Sequence, residues 1–245
     1  NGKGKFTDVT AELCPDLETP GMVTDAQFAD LNGDDLPDLV VVGEWMETGI
    51  YMNHRTEGFI KNKAPILTQT TGWWNTLHIN DFDKDGDLDM YLLNHNVVVI
   101  NEWEFSQARK VRHPYAGDKL FRNDNGRFVD VSEAAGIKGN PLGFGLGVTV
   151  SDINKDGWPD IYVSNDFFER DYLYLNNGDG TFAEQVESQM KSLSAASMGA
   201  DLADINNDGY REIVIGAPGN SRIYVISGTW TLGGTRDLSV TGGDL

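Results

Sequence analysis

One nine-residue loop, from Asp81 to Asp89, constrains the fold of this chain more than any other stretch. It reads Asp-Phe-Asp-Lys-Asp-Gly-Asp-Leu-Asp, with carboxylates at positions 1, 3, 5 and 9 and glycine at position 6. Oxygen-bearing side chains that alternate along a tight loop can converge on one hard cation, and calcium takes six to eight such ligands. Gly86 suits the sharp turn, where we expect a positive φ. The loop therefore predicts a calcium site.

The same pattern occurs four times, starting at Asp30, Asp81, Asp152 and Asp204. A single copy is a weak signal, because acidic surface loops produce it by chance. Four copies in register favour metal binding over solvated acidic turns, and the predicted cofactor is Ca²⁺, up to four ions. The predicted ligand residues, at positions 1, 3, 5, 7 and 9 of the loops, are Asp30, Asn32, Asp34, Leu36, Asp38; Asp81, Asp83, Asp85, Asp87, Asp89; Asp152, Asn154, Asp156, Trp158, Asp160; and Asp204, Asn206, Asp208, Tyr210, Glu212.

The residues that follow each loop exclude an EF-hand. That motif needs a glutamate at position 12 and flanking helices, whereas position 12 here is Val41, Leu92, Val163 or Ile215 within a β-type apolar run. A dockerin-like motif would likewise need helices after the loops. Each loop is therefore predicted to join two strands, with the acid at position 9 opening the second strand and closing the metal site.

Two loops depart from the pattern. The first has Asp35 where glycine is expected, and aspartate tolerates the left-handed region better than most residues. The fourth ends in Glu212, a longer side chain with Arg211 beside it, and we expect this loop to bind calcium more weakly.

The loop starts are spaced by 51, 71 and 52 residues. A period near 50 residues with several strands per period is typical of a propeller or an array. We expect an all-β fold, a single β-propeller domain in which this chain forms four blades, each a four-stranded antiparallel sheet. The predicted repeat units are residues 4–57, 58–125, 126–179 and 180–228.

The N-terminus resembles a fourth strand with no unit before it. Residues 4–10, Gly-Lys-Phe-Thr-Asp-Val-Thr, match Gly-Arg-Phe-Val-Asp-Val-Ser at 126–132. We therefore expect residues 4–10 to complete the last blade and close the propeller, a device that protects sheet edges. The Gly- and Thr-rich tail, residues 229–245, competes for the same edge and has no predicted place.

With these loops and their downstream strands, the chain resembles the FG-GAP/VCBS repeat family, the calcium-loop propellers of integrin α chains and many bacterial secreted proteins. The first three units, with Asp160-Ile-Tyr-Val-Ser-Asn165, are similar to ASPIC/UnbV-type and cartilage-acidic-protein repeats. The fourth, with Ile213-Val-Ile-Gly-Ala-Pro218, is similar to the integrin type. Family propellers usually have seven blades, so the resemblance leaves the number of blades open.

The charge and hydropathy of the sequence limit the classes of binding partner. The net charge of −19 argues against nucleic acid, whose phosphates need Lys and Arg. No apolar run approaches eighteen residues, so we expect no membrane insertion. We expect no signal peptide within this sequence, and its one cysteine, Cys14, cannot form an internal disulfide. From the resemblance we expect a secreted protein, extracellular or periplasmic.

The second unit carries an insert near residues 97–119, between its second and third strands. Antiparallel geometry places this insert opposite the calcium loops, and residues 102–111 are a candidate short helix. Aromatic and arginine side chains favour interfaces, although an insert packed over the blade by salt bridges is the commoner arrangement. The ligand-face candidates are Trp45, Trp73, Trp74, Trp103, Arg109, Arg112, His113, Phe167 and Arg170.

Three functional hypotheses remain open. The first is a non-catalytic recognition or adhesion-type scaffold for a protein or glycan, with structural calcium. The second is an enzyme, a polysaccharide lyase or glycosidase that uses His95, Arg112 or His113; no nucleophile motif supports it, so we expect no enzyme. The third is an engineered, chimeric or fragmentary propeller without a natural ligand. Two or more chains that together complete one ring would favour the third.

Overall fold

A computed structural model describes residues 4–68, 72–96, 105–113, 115–190, 196–217, 222–227 and 239–244. Strands dominate these ranges, and no helix within them has the length and apolarity to cross a membrane. The chain is all-β, as the repeats predict. The α-helices are single turns: α1 (Thr10–Leu13), α2 (Pro65–Thr68), α3 (Phe105–Ala108) and α4 (Val186–Gln189), with 3-10 turns at Pro15–Leu17 and Arg55–Glu57.

The strands form four antiparallel blades of four strands each, numbered 1 to 4 along the chain, and the fourth strand of each blade lies beyond the end of the corresponding predicted repeat unit. The end of β2 also pairs with the start of β5, which joins blades 1 and 2 into one eight-stranded sheet. The strands are β1 (Met22–Ala29), β2 (Asp38–Met46), β3 (Gly49–Asn53), β4 (Phe59–Lys61); β5 (Gly72–Asn80), β6 (Asp89–Asn94), β7 (Lys119–Asp124), β8 (Arg127–Asp130); β9 (Gly145–Ser151), β10 (Asp160–Asn165), β11 (Tyr172–Asn176), β12 (Phe182–Glu184); and β13 (Gly199–Ala203), β14 (Glu212–Ala217), β15 (Arg222–Ser227), β16 (Ser239–Asp244).

The acid at position 9 begins the second strand of every blade, as predicted: Asp38, Asp89, Asp160 and Glu212. Because the first two strands of each blade are antiparallel neighbours, the four loops lie at the same end of their blades. The connectors after the second strands lie at the opposite end, which we call the far end.

Three apolar clusters fill the spaces between consecutive blades. Alternate residues of each second strand point to opposite faces of the sheet. Val40 of β2 therefore packs with Leu77 and Phe128 of blade 2, whereas Tyr91 of β6 packs toward blade 3 with Phe182. Burial between blades, rather than within one sheet, holds the array together.

The inner strands β1, β5, β9 and β13 follow one another around the array, each packed against the next. Side chains link them. Thr24 donates to the Trp74 carbonyl at 2.7 Å, and the Asn75 amide donates to the Gly145 carbonyl at 3.2 Å. In the described part of the chain no comparable packing returns from β13 to β1. The four blades therefore form an open array.

The expected closure by residues 4–10 is wrong. The outer strand of blade 4 is β16, which pairs antiparallel with β15 and comes from the tail that had no predicted place. Residues 4–9 form no strand, and Phe6 is 99% exposed. The chain that follows packs on blade 1 instead, where Cys14 joins a cluster with Leu39 and Val41.

The insert of blade 2 contains α3, which lies within the predicted helical stretch 102–111. Residues 97–104, including Trp103, and residue 114 lie outside the described residues. The insert is anchored to the connector between blades 2 and 3, because the amide of His113 donates to the Gly139 carbonyl at 2.7 Å.

Candidate functional site

In the first three loops the carboxylate at position 9 joins the loop to the third strand of its blade. Asp89 is 2% exposed; its Oδ2 accepts the Phe82 amide at 3.0 Å, and its Oδ1 accepts the Asn123 amide at 2.8 Å. One side chain thus joins the start of the loop to the end of the third strand. Asp38 and Asp160 make the corresponding pair of contacts, to Leu31 and Asn53 and to Ile153 and Asn176.

The second loop brings three carboxylates together. Asp81, Asp83 and Asp89 each place an oxygen within 4.8 Å of the other two. Asp81 Oδ1 is buried and has no hydrogen-bond partner, an arrangement that costs free energy unless a cation is present. Hard oxygen ligands and one unsatisfied carboxylate oxygen fit the calcium that the sequence resemblance implies.

Burial perturbs these acids. It raises the pKa of Asp89 and of Asp160 to about 7, and it raises the pKa of Asp38 above its ordinary value, although backbone amides oppose the shift. Burial and the neighbouring Asp85 also raise the pKa of Asp83. A cation among these oxygens would favour their charged forms.

Loops 1, 3 and 4 carry asparagine at position 3 and share a second contact. The Asn154 amide donates to the position-5 carboxylate of Asp156 at 2.7 Å, and Asn32 and Asn206 do the same to Asp34 and Asp208. The second loop has Asp83 at this position and so carries more carboxylates than the other loops. It is therefore the strongest candidate for a calcium site.

Each loop contains two residues in the left-handed region. Gly86 has φ of 101° and Asp35 has φ of 63°, as the sequence predicts for position 6. Position 4 was not predicted to be left-handed, yet Lys84 has φ of 58° and Lys155 has φ of 61°. These two lysines reach the next loop: Lys84 lies 4.6 Å from the Trp158 ring centroid and Lys155 lies 3.6 Å from that of Tyr210.

An asparagine at the end of the third strand bridges neighbouring blades. The Asn123 amide donates to the Leu31 carbonyl of blade 1 at 2.8 Å, and Asn176 donates to the Phe82 carbonyl of blade 2 at 2.8 Å. The sequence interpretation missed these residues. Their signal is an asparagine that recurs a few residues before the glycine and phenylalanine that open each fourth strand, including Asn53.

Seven rings form a continuous line at the far end, which we call the aromatic row. Centroids of successive rings are 3.5 to 6.0 Å apart, and Trp73 stacks on His95 with an angle of 19°. The row crosses from blade 1 to blade 3. Its members in order are Trp45, Trp73, His95, Phe144, Phe167, Phe168 and Phe105.

The most exposed rings of the row stand on strained backbone. Trp45 is 68% exposed with φ of 57°, and Phe167 is 59% exposed with φ of 58°. The two residues occupy equivalent places, each fifteen residues after the first aspartate of its loop. A left-handed conformation is unfavourable for a bulky aromatic residue, and such outliers concentrate at functional sites.

The remaining ligand-face candidates are placed differently. Trp74 is 3% exposed in the core between blades 1 and 2, so its assignment to the ligand face is wrong. Three candidates hold the insert and its surroundings in place. Arg109 contacts the buried Glu169 carboxylate at 3.2 Å, Arg112 donates to the Ile137 carbonyl, and Arg170 contacts Glu184 at 3.0 Å.

The residues considered for catalysis are engaged in packing. His95 lies between Trp73 and Phe144, and burial lowers the pKa of its imidazole. The Nδ1 atom of His113 accepts the Tyr115 amide at 3.2 Å. Within the described residues no hydrogen bond joins His95, Arg112 and His113.

Comparison with known proteins identifies the repeats. Residues 30–92, 109–163 and 152–215 match the FG-GAP-like repeat family, which covers more than half of the chain. The chain belongs to the FG-GAP repeat family. Mouse integrin alpha-3 is 30% identical over an alignment of 130 residues, and the alignment covers 46% of this chain and 12% of the integrin. Human integrin alpha-7 is 36% identical over an alignment of 100 residues, and the alignment covers 36% of this chain and 8% of the integrin.

The FG-GAP chain therefore matches only a small part of each integrin. Among solved structures, one of an Agrocybe aegerita lectin, described as recognising non-reducing terminal N-acetylglucosamine, aligns with a TM-score of 0.45 and 17% identity. That alignment covers 88% of this chain and 50% of the lectin chain.

Proposed function

We propose that this FG-GAP chain is a non-catalytic recognition module that binds a protein or glycan at its far end, opposite the metal loops. The observation that carries the proposal is the aromatic row, with Trp45 and Phe167 both exposed and both left-handed. Strain of this kind persists only where the surrounding fold enforces it. Rigid exposed aromatic rings supply contact area at low entropic cost.

The blades make the row a fixed platform. Trp45 follows the central part of β2, and Phe167 follows β10, so buried strands hold both backbones. Arg109 donates to the Phe168 carbonyl at 2.6 Å and fixes the far side of the row against the insert. A ligand would therefore bind without ordering the loop first, which favours affinity.

Calcium is structural in this proposal, with up to four ions in the loops between the first and second strands. Each loop gathers carboxylates that repel one another, and an ion at 100-fold excess over its Kd would add about 2.7 kcal/mol of stability. Extracellular modules bind calcium with Kd values of about 10⁻⁴ to 10⁻³ M. The integrin alpha relatives support a recognition role and an extracellular location.

The test is a binding screen with the calcium-loaded chain on immobilised glycan and protein arrays, followed by titration of each hit. The variant W45A/F167A removes the two exposed rings and should lose at least about 30-fold in affinity, as expected for central aromatic contacts. The matched control is Phe6→Ala, which removes an aromatic side chain that is 99% exposed and outside the row.

Two results would contradict the proposal. One is a ligand that binds W45A/F167A as tightly as the wild-type chain. The other is a set of hits whose binding is lost in a loop variant such as Asp85→Asn while calcium occupancy of the other loops and the folded state are unchanged.

A further inference from the structure

Two of the metal loops contact the loop that follows them through a lysine at position 4. In the second loop this residue is Lys84, and its ammonium group donates to the carbonyl of Gly157, at position 6 of the third loop. The same ammonium lies over the ring of Trp158 at position 7, 4.6 Å from the centroid. A hydrogen bond and a cation–π contact therefore join blade 2 to blade 3 at the loop end.

The junction between the third and fourth loops repeats this arrangement. Lys155, at position 4 of the third loop, lies 3.6 Å from the ring centroid of Tyr210, at position 7 of the fourth loop. Its ammonium also lies beside position 6, only 2.8 Å from the point where a Cβ on Gly209 would stand. The glycine at position 6 thus leaves room for the lysine of the preceding loop.

The residue at position 7 varies with the residue that reaches it from the preceding loop. Trp158 and Tyr210 both follow a loop with lysine at position 4, whereas the second loop has Asp87 at position 7 and follows a loop with Gly33 at position 4. A glycine has no side chain to cross the junction, and an aspartate has no ring to receive a cation. Lysine and aromatic ring therefore occur together at two junctions and are both missing from the sequence at the third.

The peptide group that Lys84 contacts also orients a predicted calcium ligand. Its carbonyl accepts the lysine, and its amide, the N–H of Trp158, donates to Oδ1 of the position-5 carboxylate, Asp156, at 2.8 Å. Because a peptide group is planar and rigid, a contact that fixes its carbonyl also fixes its N–H. In the fourth loop the N–H of Tyr210 holds Asp208 in the same way, at 2.7 Å. The lysine of one loop is therefore one peptide group away from a carboxylate of the next.

The direction of the Lys84 side chain depends in turn on its own loop. The backbone of Lys84 is left-handed, with φ of 58°, a conformation that is unfavourable for lysine unless the surrounding structure enforces it. Lys84 lies between Asp83 and Asp85, at positions 3 and 5 of the second loop. An ion bound by those carboxylates would hold the loop in this conformation and keep the lysine directed at the third loop.

We propose that Lys84 and Lys155 are positioning residues that couple each calcium loop to the next, so that an ion in one loop raises the affinity of the following loop. This coupling rests on the structural calcium proposed above, and it links the second loop to the third and the third to the fourth. Coupling between binding affinities is reciprocal, so the third loop supports the second by the same factor. Charge repulsion alone has the opposite sign, because a lysine near a bound cation weakens its binding.

Terbium luminescence measures the third loop selectively. Tb³⁺ binds to oxygen sites in place of Ca²⁺ and emits when a neighbouring indole ring transfers energy to it, and Trp158 is the one tryptophan within the four loops. Titration of the 245-residue chain with Tb³⁺ under tryptophan excitation, followed by displacement with Ca²⁺, gives the affinity of that loop. The variant Trp158→Phe should abolish the signal and so assigns it to the third loop.

The variant Lys84→Met keeps the apolar stem and removes the ammonium group. It should lower the Tb³⁺ and Ca²⁺ affinity of the third loop by about 3- to 5-fold, as expected for an exposed cation–π contact. Lys84→Arg keeps the charge and should restore most of the affinity. The matched control is Lys138→Met, which removes an exposed lysine between blades 2 and 3 and should leave the affinity unchanged. The melting temperature in saturating calcium reports folding.

A double-mutant cycle measures the coupling itself. Asp81→Ala removes the position-1 carboxylate of the second loop and should empty that loop, so the affinity of the third loop should fall about as far as in Lys84→Met. The double variant should lose no more affinity than either single variant. Because Lys84 is exposed, its own variants give a result even where Asp81→Ala does not fold.

The outcomes separate the coupling from the calcium sites. Additive losses in the cycle, or a Lys84→Met chain that binds Tb³⁺ as tightly as the wild type or more tightly, overturn the coupling and leave the calcium sites in place. A wild-type chain without Tb³⁺ emission that Ca²⁺ displaces overturns the calcium sites and the coupling together.

Discussion

The loop end and the far end of the blades differ in how far their residues repeat from blade to blade. At the loop end the same residues recur in blades 1 to 3, where Asp38, Asp89 and Asp160 make the same two backbone contacts. At the far end the blades differ: Trp45 and Phe167 occupy equivalent places, whereas the second blade has Asn96 there and a long insert. The repeated residues at the loop end hold the scaffold together. The residues that differ between blades lie at the far end, where we propose that the ligand binds.

The largest expected effect comes from removing calcium from all the loops at once. Removal of calcium by EGTA should lower the melting temperature, because the loop carboxylates then repel one another and each emptied site forfeits about 2.7 kcal/mol at 100-fold calcium excess. Differential scanning calorimetry with and without EGTA measures this. Magnesium serves as the control cation, since it demands smaller, octahedral sites. An unchanged melting temperature would show that the loops are ordinary acidic turns.

The next prediction compares two loops. Asp89→Asn replaces one carboxylate oxygen by an amide nitrogen, which donates and cannot accept. One of the two backbone amides therefore loses its acceptor, and the change should cost about 1–3 kcal/mol. Glu212→Gln should cost less, because Glu212 accepts the Ile205 amide at 2.8 Å but contacts the Asn206 side chain only at 3.4 Å. Urea unfolding in saturating calcium gives both values. Equal losses would contradict the expected weakness of the fourth loop.

A third prediction concerns an acid at the far end. Asp118 is buried, accepts the Tyr91 hydroxyl at 2.7 Å and the Asn94 amide at 3.0 Å, and burial raises its pKa to about 7 from 3.8. Between about pH 4 and 7 the folded chain holds a proton here that the unfolded chain has lost. The free energy of unfolding therefore falls as pH rises through that window, by up to about 1.4 kcal/mol per pH unit.

The variant Asp118→Asn isolates this effect, because the amide is neutral at every pH. In saturating calcium the difference in unfolding free energy between variant and wild type should shift by that slope from pH 4 to 7. Asp124→Asn is the control, at an exposed acid paired with Arg122 at 2.8 Å. Parallel pH curves for wild type and Asp118→Asn would mean that the buried carboxyl stays charged.

The smallest prediction tests the strain beneath the aromatic row. Alanine at residue 45 would keep the unfavourable left-handed backbone, whereas glycine adopts it freely. Trp45→Gly should therefore be more stable than Trp45→Ala by about 1 kcal/mol, and Phe167→Gly should exceed Phe167→Ala similarly. At Met52, a strand residue outside the positive-φ set, the order should reverse. If Trp45→Ala is more stable than Trp45→Gly, the backbone at residue 45 is not strained.

Much of the loop end was predictable because its chemistry is local. An aspartate every second residue, a glycine at the turn and an apolar run afterwards determine a hairpin within about fifteen residues. The start of every second strand was predicted correctly, and so was the left-handed Asp35. Trp74 was predictable too: adjacent residues of a strand point to opposite faces, so Trp73 and Trp74 could not both lie on one surface.

The outer strand of the last blade was not predictable from apolar pattern. Residues 4–10 carry the better strand signature, yet β16, with Gly242 and Gly243, occupies the edge of β15. An edge strand is held by backbone hydrogen bonds that any sequence without proline can supply. Which of the two segments pairs with β15 depends on which one the folded chain places beside that edge. This placement depends on contacts far apart in the sequence. The aromatic row was missed as a unit for the same reason, since its rings come from three blades.

The asparagine bridge has a consequence for how such chains change over generations. Blade 2 carries, within one repeat, both the carbonyl that is received and the amide that receives it, on Phe82 and Asn123. A gene that gains or loses this repeat therefore still encodes a matching carbonyl and amide at the new junction. Duplication or deletion of such a repeat can change the number of blades without a compensating substitution. The curvature of the closed propeller then determines which numbers of blades can fold.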